Sequence, residues 1–143
     1  MKPESMNRII SIIVTTLLLS CGQSPDDMKL KLAGYWVIDK VEMPGGAERQ
    51  FQMSNTIDFI EVTGDSGVRK KVQPKIDGGF TTSESAEKFH LKIENDSLNI
   101  YYSTPYDSWK ESVLEARDSL LILRNKEGKI YTYVKFKGFS FSE

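Results

Sequence analysis

At 143 residues the chain can build one domain around a single core but not two, and its 19 basic and 20 acidic residues leave a net charge of −1. That balance carries no electrostatic footprint for nucleic acid, which needs clustered Lys and Arg to displace counterions. One cysteine and one histidine leave almost nothing from which to build a zinc site or a Cys-His or Ser-His-Asp constellation, so neither an enzyme nor a metal or other cofactor is expected.

Lys2 and Arg8 precede the apolar run from Ile9 to Leu19, which is about the length of a signal-peptide core and well short of the ~20 residues that a spanning helix needs. Residues 1–20 therefore read as a leader, with Met6 an alternative start that keeps Arg8 in its basic region. A buried core helix is the competing reading, but the run lies at the extreme N-terminus and has no polar face. Leu18-Leu19-Ser20-Cys21 resembles the lipobox of bacterial lipoproteins, with Leu18 three residues before the cysteine and the small Ser20 beside it. The resemblance implies that Cys21 carries a diacylglycerol and an amine-linked acyl chain. Such an anchor holds a protein on a membrane without spanning it, here in the bacterial envelope, on the periplasmic face of the outer membrane or at the cell surface. Residues 21–29 are then the lipidated cysteine and a polar tether, since Gly22 to Asp27 contain no large apolar side chain to bury. Removing Lys2, Glu4 and Arg8 with the leader leaves 17 basic and 19 acidic residues, net −2. The densest basic cluster, Arg69-Lys70-Lys71, is flanked by Glu61, Asp65 and Asp77 and reads as a solvated hairpin face.

Residues 30–143 form the domain. Short runs rich in Val, Ile, Tyr, Phe and Thr recur between turn formers at spacings near 8–12 residues, the pattern of an antiparallel all-β domain. The first run, Leu32 to Val41, ends at Pro44-Gly45-Gly46, and Met43 to Ser54 is the longest plausible loop. Thr56 to Val62 turns through residues 63–67 into Val68 to Ile76, whose Pro74 suggests an edge or a bulge. Phe80-Thr81-Thr82 and Lys88 to Glu94 follow. Asn95-Asp96 turns into Leu98 to Tyr102, residues 104–107 lead to Trp109 to Ala116, residues 117–119 to Leu120 to Leu123, and residues 126–128 to Ile130 to Phe136. Each strand follows the last through a short turn, so the topology is a meander of eight or nine strands. Closure into an up-and-down barrel is the simplest way to remove both edges.

Gly34-Tyr35-Trp36 resembles the Gly-x-Trp that opens lipocalins, and Leu121-Ile122-Leu123 with Asn125 to Tyr133 is similar to the closing hairpin of short bacterial lipocalin-like lipoproteins. The resemblance implies a single lipocalin-like barrel in which Trp36 plugs the closed end and a late cation caps its indole, Arg124 first and Lys135 second. The Thr-Asp-Tyr motif of lipocalins is missing.

An eight-stranded barrel either is filled by its own side chains or holds one small ligand, and both readings stay open. If there is a mouth, the 43–54 loop brings Phe51 and Met53 over it, and another connection brings Tyr102, Tyr106 and Trp109. Aromatic loop residues suit recognition because they bury large areas and keep a polar handle. The first functional reading, which the resemblance implies, is a membrane-anchored monomer that binds a small apolar or amphiphilic molecule. The alternative is a filled-barrel interaction or inhibitor module without a ligand. His90 falls on the polar face of its run. Glu84 with Glu87, and Glu111 with Glu115, read as solubilising charges.

Overall fold

A computed structural model describes residues 22–52 and 54–138; the leader, Cys21 and Met53 lie outside these. One short helix, α1 (Pro25–Lys31), precedes nine strands: β1 (Gly34–Glu42), β2 (Glu48–Gln50), β3 (Ile57–Thr63), β4 (Ser66–Pro74), β5 (Phe80–Glu94), β6 (Ser97–Ser103), β7 (Ser108–Ala116), β8 (Leu120–Asn125) and β9 (Ile130–Lys135). From β3 onward each strand pairs antiparallel with the next. β9 returns to β1, with Trp36 opposite Lys135 and Glu42 opposite Ile130, so eight strands close into the expected up-and-down barrel. The ninth, β2, arises inside the expected 43–54 loop. β3 pairs with β1 only over Gly34–Trp36, and β2 takes the same edge over Lys40–Glu42.

The turns follow local chemistry. Asn95 and Asp96 both adopt positive φ, 50° and 61°, the condition for a two-residue turn that matches strand twist. Pro74 pairs with Phe80 on one side and lies beyond the β3 pairing, which ends at Val72, so it takes the edge position rather than the register shift between Lys70 and Val72. β5 departs from expectation, being one strand of 15 residues where two runs were read. Residues 81–86 are exposed: Thr81, Thr82 and Ala86 pair with β4, residues 83–85 fall in the register shift, and β6 meets β5 only over Lys88–Glu94. A strand wet on both faces shows no apolar alternation in its sequence.

One end of the barrel is floored by α1. Ser24 caps the helix, Pro25 opens it, Asp26 and Asp27 sit in its first turn and Lys29 and Lys31 in its last, a charge order that suits the helix dipole. The segment read as a polar tether is therefore docked. Gln23 accepts from the Ala116 N–H at 3.1 Å and donates to its carbonyl. Pro25 is buried, Met28 packs against the core, and Leu32 is fully buried. Lys29 pairs with Asp65 and Lys31 with Asp118. A few anchoring residues on seven helical positions give no amphipathic pattern, which is why the sequence reading missed them.

Trp36 is fully buried above this floor, and its indole N–H donates to the Leu32 carbonyl at 2.8 Å. The cation over its ring is Lys135, with Nζ 4.3 Å from the centroid and donating to the Ala33 carbonyl at 3.0 Å. Arg124, the first candidate for that cap, is exposed on β8 and pairs in register with Ile130 at the far end. The reason is parity. Lys135 lies opposite Trp36 in register, whereas Arg124 follows the core residue Leu123 and so points outward. Gly34 has φ 134°, and a Cβ there would collide with the Lys135 side chain. The glycine thus keeps the strand conformation and leaves room for the cation on the indole.

Gly34→Ala should cost about 1–3 kcal/mol through its backbone strain, and adding Lys135→Ala should not recover it. Lys135→Met, which keeps the stem and loses the charge, should change stability by less than about 1 kcal/mol. Urea unfolding of the three variants checks both statements.

Candidate functional site

The lumen is layered. Toward α1 it is filled by aliphatic side chains, among them Leu91, Leu98, Ile100, Leu121 and Leu123, which form one cluster with Trp36 and Leu32. Toward the other end it is polar. Arg69 on β4 lies opposite the core residue Ile60, so it points into the barrel, and only 7% of it is exposed. One guanidinium nitrogen donates to the Tyr102 hydroxyl at 2.9 Å and to Glu111 at 3.3 Å. The other donates to the Tyr133 hydroxyl at 2.7 Å and lies 3.3 Å from Asp58. The partners come from β6, β7, β9 and β3, so one side chain ties five strands across the lumen. Tyr102 also donates to Glu111 at 3.1 Å, and Lys71 forms an ion pair with the second Asp58 oxygen.

Three expectations are corrected here. Arg69-Lys70-Lys71 is not one solvated face, because Arg69 and Lys71 point inward and only Lys70 shares the outer face with Phe59. Glu111 is half-buried and ion-paired, and Glu87, opposite Arg69 in register, is half-buried too. Tyr102 is not part of a connection but a 2%-exposed lumen residue on β6.

The electrostatics follow the geometry. Burial pushes the Asp58 carboxyl up, but Arg69 and Lys71 outweigh it and hold the group below its ordinary 3.8. Burial raises both phenols, Tyr133 to about 12 and Tyr102 further, so both stay neutral donors and acceptors at any ordinary pH. Glu87 is raised by burial, which Arg69 and Lys71 only partly offset.

Beyond this bridge the barrel opens. A hollow of about 240 Å³ is lined by Val41, Met43, Arg49, Phe51, Lys129 and Tyr131, together with Ala47 and Glu48. Val41 lies opposite both Tyr131 and Arg49, and Tyr131 packs against the lumen cluster, so these residues share the concave face. The Phe51 N–H donates to the Asp39 carbonyl at 2.8 Å, and the Arg49 guanidinium sits 5.1 Å from the Phe51 ring. The hollow offers an apolar wall bordered by Arg49, Lys129 and the carboxylate of Glu48, with Lys129 also paired to Glu127 at 3.4 Å.

Of the five residues expected at the mouth, Phe51 lines this hollow and Met53 lies outside the described residues. Trp109 stacks on Tyr102 at 5.1 Å between centroids and 14° between planes, which closes the lumen over a different sector. Tyr106 is 96% exposed on its turn and joins neither group. Sequence reasoning gives no site role to Arg49 or Asp58, which stand in no motif, and takes Arg69 as part of a solvated cluster and Tyr131 as part of the closing hairpin. His90 is exposed, with Nδ1 3.1 Å from the Ser66 hydroxyl. Among the described residues no three His, Cys, Asp or Glu side chains are grouped to hold a metal.

A sequence model described as a lipocalin-like domain matches residues 32–123. No curated protein is detectably similar. Among solved structures, a lipocalin-like protein from Bacteroides uniformis is 16% identical, with a TM-score of 0.47 over 74% of this chain and 99% of that one. An uncharacterized protein from Bacteroides eggerthii is 15% identical, with a TM-score of 0.45 over 73% and 98%. Apocrustacyanin C1 is 12% identical, with a TM-score of 0.45 over 85% and 74%.

Arg69→Met should cost about 3–5 kcal/mol, because it leaves the buried Asp58 with only the exposed Lys71 as its cation and takes the cation from Glu111. The pH response should also invert. A depressed folded pKa gives Asp58 a stabilising contribution that is present above its unfolded value and lost as pH falls through the folded one, so the parent weakens on acidification below roughly pH 4. In Arg69→Met, protonating Asp58 relieves buried charge, so acid should recover part of the loss. Glu87 has the opposite sign: its raised folded pKa disfavours the native state at neutral pH. Glu87→Gln should therefore stabilise at pH 7 by less than about 1 kcal/mol, with the gain vanishing once Glu87 is protonated in both states. Thermal melts across pH check both variants.

Proposed function

Because the chain belongs to the lipocalin-like domain family, whose fold suggests small-molecule binding in general, we propose that it is a membrane-anchored lipoprotein of the bacterial envelope that binds a small amphiphile at its mouth. The observation that carries the reading is the hollow of Val41, Met43, Phe51 and Tyr131, with Arg49 and Lys129 at its lip. An apolar end would lie on the aliphatic and aromatic wall, and a polar head would meet Arg49, Lys129 and the Glu48 carboxylate between them. At about 240 Å³ the hollow is below the usual range for drug-sized ligands, roughly 300–1,000 Å³. The ligand is accordingly small, or enters by one end only, because the Arg69 bridge bars the deeper lumen. The anchor is acylated Cys21, on the strength of Leu18, Ser20 and the basic and apolar segment before them. The expected site is the outer membrane.

A second reading is favoured by a specific observation. With the Arg69 bridge filling the section, and Met43, Ile76 and Tyr106 exposed on three connections at the mouth end, the barrel would act as an interaction module that presents those loops.

Native mass spectrometry of residues 22–143 after incubation with envelope lipid extract separates the two. The first reading predicts a stoichiometric adduct that Phe51→Ala weakens by about 1.5–3 kcal/mol, roughly 10- to 100-fold. A clean apo mass under all loading conditions supports the second. Intact mass of the membrane-extracted chain should show acyl increments, and Cys21→Ser should abolish them and release the protein from the membrane fraction.

A further inference from the structure

We infer that the closed end of the barrel is seated against the membrane and that the mouth faces away from it. The inference rests on the acylation of Cys21 proposed above and adds to it the direction in which the molecule stands.

The argument begins with reach. Gln23 is fixed by its two hydrogen bonds to the Ala116 backbone, and Ser24 and Pro25 follow directly into α1. Only Gly22 lies between Gln23 and Cys21. Two residues span at most about 7 Å, so an acylated Cys21 brings the bilayer surface to the floor of the barrel. α1 is itself held at both sides, by Lys29 with Asp65 in the β3–β4 connection and Lys31 with Asp118 in the β7–β8 connection. A lipid at this point therefore pulls on a braced floor and not on a flexible leash.

The mouth lies at the other end. The connections that carry Met43, Ile76, Tyr106 and Lys126 join β1 to β2, β4 to β5, β6 to β7 and β8 to β9, all opposite α1. β1 has nine residues, and a strand of that length tilted as in eight-stranded barrels places the mouth roughly 20–25 Å from the floor. The hollow of Phe51 and Tyr131 thus opens toward the aqueous compartment. Its ligand reaches it from solution or from a structure facing the anchoring membrane, not by lateral entry from the leaflet that holds the anchor.

Energy transfer in vesicles tests this on the full acylated protein. Acylated Cys21 has no free thiol, so a single added cysteine can be labelled alone. Ser119→Cys marks the closed end and Tyr106→Cys the mouth, with Arg117→Cys and Lys126→Cys as a second pair in case either of the first fails to fold. In vesicles carrying an acceptor on the lipid headgroup, transfer should be several-fold greater from the closed-end label in each pair. A flexible Gly-Ser insert of about ten residues between Cys21 and Gly22 should erase the difference. Protein that floats with the vesicles yet shows equal transfer from both ends, or more from the mouth, overturns the orientation alone. Protein without acyl mass that fails to float overturns the acylation reading and the orientation with it.

Discussion

A guanidinium held across the middle of the barrel is the constraint on which the rest of the structure depends. Moving Arg69 out of water is costly, and the cost is offset only because Asp58, Glu111, Tyr102 and Tyr133 converge on it. Their convergence requires β3, β4, β6, β7 and β9 to hold one register. A slip of a single residue in any of them would turn its partner outward and strand the charge. The network therefore specifies the pairing of the barrel as well as stabilising it. It also separates the aliphatic half of the lumen above α1 from the half that leads to the mouth.

The same strands carry a second apolar layer on their outer face. Ile57 and Val72 are buried, yet they lie opposite each other on the face away from Ile60 and Arg69. Tyr35 sits 4.7 Å from Phe59 and stacks on Phe80 at 4.5 Å, and Phe80 meets Phe136 edge-on at 6.1 Å. These rings share the outer surface of β1, β3 and the start of β5. β3 and β4 are thus apolar outside and partly charged inside, the reverse of a soluble barrel's usual alternation.

That reversal explains what was legible in the sequence. Fold class, strand order and most turns could be read, because Val, Ile and aromatic runs and the Asn95-Asp96 pair act locally. The plug at Trp36 could be read through its motif. Its cap was misassigned to Arg124 because the choice between two cations depends on register across β1 and β9, which a single strand does not display. Arg69 was hidden more deeply. In β4 the apolar residues Val68 and Val72 share a parity opposite to Arg69, so alternation alone assigns the arginine to solvent. Only the aromatic cover from three other strands reverses the assignment, and that cover is a long-range fact. The docking of Gln23 and α1 escapes the sequence reading, which takes residues 21–29 as a polar tether, although Ser24-Pro25-Asp26-Asp27 has the order of a helix start. Its helix is too short to show a face, and its hold on Ala116 is a contact across 93 positions.

The unshared half of β5 has a consequence of its own. On the side away from β4, residues 80–87 meet no other strand among those described, so a row of backbone amides and carbonyls stands open to water. Such an edge invites another chain to add to it and start an aggregate. Here it is Thr, Ser and Glu from Thr81 to Glu87, apart from Ala86, with Glu84 and Glu87 both negative. Two copies brought edge to edge would oppose like charges and gain little buried apolar surface. The ribbon can stay long and uncovered because its side chains make self-association unprofitable.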